Sequence, residues 1–393
     1  MSFRVGVDIG GTFTDFFVFD ERKRSTETLK VLSTPEQPGA EVLAGLQQLE
    51  KRFAIPGKEI GYFTHGTTVG VNTVIQRKGA TLALLTTSGF EDVLEVARLK
   101  MPDTYDVFSR RPVPLVARER VFGITERMLA DGNVETPVDE ESVRHAIEGA
   151  RARGAEAIVI ALLHAYANGE HERQVAALAK SLAPDIDIVL SSEVWPVIRE
   201  YERTVTATVS GYVQRRVAGY LTSLQAALRE AGVTTEPMIT KSNGGVMRAE
   251  LGKSAPIQML LSGTASGVIG ASHVAALAGE ENVLSYDVGG TSADVAVIQS
   301  GKPAYGTGEL VGEFPIYTPT VAVTSIGAGG GSIAHVDNLG VLKVGPSSAG
   351  SSPGPACYGR GGEQATITDA YAVCGWLGRG GLGYGAVQID VAG

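Results

Sequence analysis

The chain reads as an α/β protein of two lobes, each a mixed sheet with flanking helices. Three observations predict this. Strand-like and helix-like runs alternate along most of its length, the composition supplies a large core, and one strand–turn–strand signature occurs twice. Of 393 residues, 44% are hydrophobic and 20% charged, enough apolar side chain for more than one domain core.

Residues 4–9 (RVGVDI) read as a buried strand running into Gly10-Gly11-Thr12. Residues 13–19 and 26–32 read as the next two strands, so the chain opens as an antiparallel meander. A helix is expected at about 37–53, a strand over GYFTHG, and a helix from Thr67, where Thr67 and Thr68 could cap it or face an anion. TLALLT at 81–86 and a helix from Ser88 repeat the alternation. The stretch 101–137 is richer in Pro, Arg and Tyr and reads as loop with an isolated strand, an excursion toward a partner or substrate. Asp139 caps a helix that Gly154 closes. Strand 156–163, a helix over NGEHERQVAALAKSLA, in which His171 and Glu172 read as a solvated start, and strand DIDIVLS then form a βαβ run. Residues 199–231 lack Pro and space their apolar residues helically. Gly211 and Gly219 inside that helix each cost about 1 kcal/mol relative to Ala. A Gly/Ala/Ser-rich helix at 263–279 precedes strands at 283–287 and 293–298.

The repeated signature is D-x-G-G-T-x-x-D between apolar strands. Asp8, Gly10, Gly11, Thr12 and Asp15 match Asp287, Gly289, Gly290, Thr291 and Asp294. A tight glycine turn aims successive amides at an anion, a Thr hydroxyl can bond a phosphate oxygen, and Mg²⁺ takes one or two carboxylates beside phosphates and water. One copy could be only a hairpin turn. Two copies point to paired phosphate hairpins across a cleft, as in the actin/sugar kinase/Hsp70-like (ribonuclease H-like) superfamily. Asp8 and Asp287 are therefore the candidate metal-side, catalytic carboxylates for ATP and Mg²⁺. Gly10, Gly11, Thr12, Gly289, Gly290 and Thr291 are candidate phosphate contacts, with Thr14 and Ser292 as second choices. The GAGGGS cluster, with Gly327, Gly329 and Gly330, is either a nucleotide-facing loop or a packed crossover.

The formal net charge is −9, and no basic run or long apolar run is present, so neither nucleic acid nor membrane is an expected partner. Cys357 and Cys374 make no disulfide framework or zinc knuckle and read as reduced thiols of a cytoplasmic protein.

Longer segments carry a resemblance. VDIGGTFTDFFVFD, HGTTVGVNTVIQRKGA, TTSGFEDVLEVAR, HAYANGEHE, REYERTVT, SNGG, YDVGGTSADV and GAGGGSIAHVD…VGPSSAGSSPGPACYGRGG resemble the hydantoinase A / 5-oxoprolinase family over essentially the whole chain. The resemblance implies ATP-driven activation of a small-molecule amide, lactam, cyclic imide or ketone carbonyl for hydrolysis or carboxylation, with a hydantoinase B-type subunit as partner in an oligomer. It also brings in His65 as a candidate for substrate binding or proton transfer. Arg98 and Arg203 could fix an anionic substrate or pair surface acids. Two departures stand out. Residues 262–267 read SGTASG where the family has SGPAGG, and full-length members continue past the equivalent of Gly393. The expectation is an N-terminal domain at 1–198 and a core domain at 199–393, truncated at its C-terminus and inactive without its partner or remainder. The rival readings are a small-metabolite kinase of the same superfold and a non-catalytic scaffold.

Overall fold

In the computed structural model, residues 2–9, 13–33, 39–101, 103–290, 293–350, 353–377 and 388–391 are described. The opening meander forms as β1 (Phe3–Ile9), β2 (Phe13–Asp20) and β3 (Ser25–Leu32). Alternation drives it: Val5, Val7 and Ile9 on β1, with Phe16 and Val18 on β2, turn one face inward. Helix α1 (Ala40–Phe53) leads to β4 (Ile60–Thr67), which lies parallel to β1, and the short α2 (Val69–Ile75) follows.

A second sheet is fully parallel. β5 (Leu82–Thr87) lies between β6 (Val121–Ile124) and β7 (Ala157–Ala161), and β8 (Asp187–Leu190) completes it. Every residue of β5 and β7 is buried, the continuous apolar pattern of a sheet covered on both faces. Helix α3 (Glu140–Ala152) is capped by Asp139, whose side chain accepts from the Ser142 amide, and α4 (Glu170–Leu182) follows β7. The strand expected to stand alone in 101–137 is therefore β6, an edge of this sheet. The helix expected from Ser88 is only the turn Val93–Val96, stopped where Ala97 and Leu99 take positive φ.

Helix α5 (Glu200–Glu230) is the spine. Its 31 residues span about 46 Å. Val205, Val209, Val213, Val217, Leu221 and Leu224 share one core with Val5, Phe16 and Phe63 of the first sheet and Leu84 and Val159 of the second. Gly211 has a packing reason, since a Cβ there would lie 3.1 Å from Val159 Cγ2, whereas at Gly219 it would meet nothing within 4 Å. Beyond α5 the chain returns to the first sheet. β9 (Met238–Thr240) pairs with β4, and β10 (Val246–Arg248) pairs with β9. The first sheet thus runs β10-β9-β4-β1-β2-β3 and draws on both expected domains.

Helix α6 (Ser262–Leu277) precedes the second hairpin, β11 (Val283–Val288) and β12 (Ala293–Gln299), which pairs further with β13 (Lys302–Pro303) and β14 (Thr324–Ile326). A smaller ribbon, β15 (Ser332–Val336) with β16 (Leu342–Ser348), and helix α7 (Ile367–Val373) follow. Asp369 begins α7 in a reciprocal capping box with Thr366.

Candidate functional site

The two hairpins have the same register. β1/β2 sets Asp8 opposite Asp15, and β11/β12 sets Asp287 opposite Asp294. Directly opposed residues share a sheet face, so each hairpin presents a pair of like charges on one side. Asp15 is relieved by Lys30 Nζ at 3.1 Å, and Asp294 accepts from the Ser325 hydroxyl at 2.5 Å. Asp8 has no cationic partner among the described residues. Its Oδ1 lies against Gly66, where a Cβ would sit only 2.9 Å away. That close approach requires the glycine of the HGTT segment.

Asp8 opens onto a groove of about 750 Å³ lined also by Asp15, Lys30, Thr64, Gly66, Thr240 and Ser266. Protein nonetheless crowds the carboxylate. Desolvation first, then the charges of Asp15 and of Asp287, raise its pKa above the ordinary carboxylate value. The charge of Asp287 thus reaches Asp8, so the second hairpin lies within electrostatic range of the first. The N-terminus of α6 lies beside Asp8. A Cβ on Gly263 would lie 3.8 Å from Asp8 Oδ1, and the Ser262 hydroxyl is fully buried with no partner. Free amides at the start of a 16-residue helix favour an anion.

These residues fit a nucleotide with its cation. Uncompensated charge at Asp8 is what a cation relieves, and an orphaned hydroxyl at a helix start is what a phosphate relieves. No group of three metal-ligating side chains converges among the described residues.

Other sequence candidates fall differently. Gly10, Gly11, Thr12, Thr291 and Ser292 lie outside the described residues. Thr14 is a correction: it opposes Ile9, so strand alternation turns it away from Asp8 and Asp15, fully buried and bonded to Ser33 at 3.0 Å. Gly289 and Gly290 accept at their carbonyls from the amides of Gly330 (2.9 Å) and Gly331 (2.6 Å), and the Gly329 amide donates to Ser332. With Gly329 and Gly330 amides spent inside the protein, the Gly327–Ser332 segment braces the second hairpin. A Cβ at Gly330 would sit 2.7 Å from Thr368 Oγ1.

His65 is likewise corrected as a proton carrier. It is fully buried, bonds the Tyr220 hydroxyl through Nε2 at 2.5 Å, and stacks on that ring. Burial pushes its pKa down to about 3, against a small opposing pull from the Val7 carbonyl, so the ring is neutral. Tyr220 lies beside Thr67 and close enough to feel Asp8. His65 is thus a prop beneath the first hairpin. Thr67 accepts from the Val69 amide, and Thr68 donates to the Ile9 carbonyl.

The HAYANGEHE and REYERTVT segments also change meaning. His171 and Glu172 are buried, not solvated. His171 bonds Glu126 at 2.6 Å. Glu172 accepts from the Leu162 and Ser192 amides and the Ser191 hydroxyl. Arg203 is 1% exposed and donates to Ser191, Val197 and Leu162, so it binds no substrate. Arg98 pairs with Glu202. Sequence reading missed Lys30, Gly66, Thr240 and Ser266 as groove residues; only the helix-start pattern at 262–267 offered a signal.

Comparison with known proteins finds relatives over nearly the whole chain. Residues 4–183 match the hydantoinase/oxoprolinase N-terminal region, and residues 203–391 match hydantoinase/oxoprolinase. The caprolactamase subunit alpha of Pseudomonas jessenii is 34% identical over 99% of this chain and 56% of its own length. The crystal structure of ATP-dependent caprolactamase from that organism superposes with a TM-score of 0.87 over 98% of this chain and 57% of that one. The acetophenone carboxylase gamma subunit of Aromatoleum aromaticum is 34% identical over 95% of this chain and 53% of its length. Nucleotide-free acetone carboxylase, 29% identical, superposes with a TM-score of 0.85 over 99% of this chain and 57% of that one. The chain spans just over half the length of these relatives. The fold is the actin-like one that the twinned hairpins predict. No helix among the described residues is long and apolar enough to cross a membrane.

Proposed function

The chain belongs to the hydantoinase/oxoprolinase family, and we propose that it is the nucleotide-handling part of an enzyme that activates a carbonyl oxygen by phosphorylation. The substrate is an amide, lactam, cyclic imide or ketone, destined for hydrolysis or carboxylation. The carrying observation is Asp8, left without a cationic partner among the described residues, within electrostatic reach of Asp287 and beside the start of α6. Relatives named as an ATP-dependent caprolactamase and as subunits of carboxylases support the same reading.

When bound, ATP with Mg²⁺ would supply the γ-phosphoryl group that makes a poorly reactive oxygen a leaving group. The chain's own part is positioning and charge. Asp8 and Asp287 would hold the cation, directly or through water. The α6 amides, Ser262 and Lys30 would receive phosphate oxygens. His65 and Tyr220, bonded to each other, would brace the first hairpin from within the core. A B-type subunit would then complete the conversion.

The test is ATP turnover by the complex with its B-type partner. Asp8→Ala and Asp287→Ala should each reduce it to background while the partner remains bound. Unchanged ATP consumption in either variant would sink the assignment.

A further inference from the structure

A second cleft, of about 910 Å³, lies between the N-terminal turns of α5 and the 94–115 excursion. Its floor is aromatic, made by Tyr201, Phe314 and Tyr317. Thr208 lines its inner wall, is 1% exposed, and its hydroxyl has no hydrogen-bond partner.

The rim is cationic in a chain of net charge −9. Five basic residues and three carboxylates line the cleft, and most are already committed. Arg98 holds Glu202, Arg77 from outside the cleft holds Glu313, and Arg111 donates to the Glu95 and Val96 carbonyls. Lys100 and Arg110 have no carboxylate partner among the described residues. Glu95 opposes them, and Arg199 adds to them with only a 3.7 Å contact to Glu202. An apolar concavity with a few convergent polar groups is the ordinary form of a small-molecule site.

We propose that this cleft binds a small organic anion bearing an apolar ring, a cyclic or aromatic carboxylate. The ring lies among Tyr201, Phe314 and Tyr317, and the carboxylate faces Lys100 and Arg110. This site is not the phosphoryl-transfer centre. From Thr208 to Tyr220, which abuts the Asp8 groove, is about 18 Å along α5, too far for one ligand to reach the other's reacting atom. The proposal goes beyond the ATP assignment and stands without it.

Calorimetric titration of the chain with benzoate, and with benzamide as its neutral counterpart, tests this. Benzoate should bind, and benzamide at least tenfold more weakly. The Lys100→Gln/Arg110→Gln variant, both sites exposed, should weaken benzoate at least tenfold with an unchanged melting temperature. Saturating Mg·ADP should leave benzoate binding unaltered. The proposal is overturned if benzoate fails to bind at millimolar concentration, if benzamide binds equally well, if the rim variant binds as wild type does, or if Mg·ADP competes. The first two outcomes say nothing against the nucleotide groove, and loss of Mg·ADP binding says nothing against this cleft.

Discussion

The two hairpins carry the same signature and the same register, yet their back faces differ in burial. Behind Asp8 and Asp15, the residues Val5, Val7, Ile9, Phe16 and Val18 are all below 10% exposed. Register places Leu284, Tyr286, Val288, Val295 and Val297 in the equivalent positions behind Asp287 and Asp294. There Leu284 is 65%, Tyr286 58% and Val297 46% exposed. The first hairpin is roofed by α1 and α5, whereas the second is packed by α6 only on its aspartate side, through Ala265, Val268, Ala296 and Ile298. A D-x-G-G-T-x-x-D turn fixes which residues oppose one another. What covers the sheet is decided elsewhere in the chain. A bare, contiguous apolar face is a surface for contact with other protein.

Mutation should separate the two faces most sharply. Phe16→Ala removes a fully buried ring and should cost about 3–5 kcal/mol in urea unfolding. Val297→Ala, on the bare face, should change stability by no more than about 0.5 kcal/mol. Comparable losses at dilute protein would break the comparison. If the Val297 loss appears only at high concentration, self-association is covering the face.

Acid should act on the first lobe before the second. His65 has a folded pKa near 3, below its ordinary value of 6.5, so the unfolded chain takes the proton first. Stability from the neutral buried ring is complete above pH 6.5 and is lost as pH falls toward 3, by at most about 5 kcal/mol at 1.36 kcal/mol per unit. No buried histidine lies behind β11 among the described residues. Hydrogen exchange at pH 4 should therefore show β1 and β4 opening earlier than at pH 7, and His65→Phe should flatten that dependence. Preferential opening of β11 and β12 instead would refute the assignment.

Asp8 has the opposite sign. Its folded pKa is raised, so the fold prefers the protonated form, and stability falls as pH rises from 3.8 through the raised value. Asp8→Asn should raise the melting temperature of the ligand-free chain at pH 7. Asp287→Asn should raise it less, because Asp287 is the smallest of the three causes. A loss of stability in Asp8→Asn would mean that burial and the neighbouring like charges do not oppose ionisation of this carboxylate.

The meander, the parallel strands and the hairpin register were legible because period-2 alternation and turn residues are local properties. So was the matched placement of Asp8 and Asp287, each opposite a second aspartate, through the repeat. Thr14 was not, since the motif says it follows the turn, and only strand alternation says it faces Ser33. His65 looked functional for standing in a strand-to-helix segment, but its burial comes from Tyr220, 155 positions away. Lys30 and Thr240 reach the groove from neighbouring strands, through pairings that no single segment encodes. Arg203 and Glu172 resemble surface charges in sequence; their burial depends on Ser191 and the Leu162 backbone converging on them.

The smallest predicted effect contrasts two glycines of α5, one facing the second sheet and one facing out. Both cost helix propensity, about 1 kcal/mol each relative to Ala. At Gly219 the position is exposed, and a Cβ meets nothing within 4 Å. Gly219→Ala should therefore stabilise the chain by about 0.5–1 kcal/mol, much of it by restricting the unfolded chain. At Gly211 the same methyl would lie 3.1 Å from Val159 Cγ2 and 3.4 Å from Val189 Cγ2. Those valines sit in fully and nearly buried strands with little room to give. The propensity gain is offset by crowding, so Gly211→Ala should be neutral or destabilising. Equal stabilisation at both sites would mean that α5 packs on the parallel sheet more loosely than these distances imply.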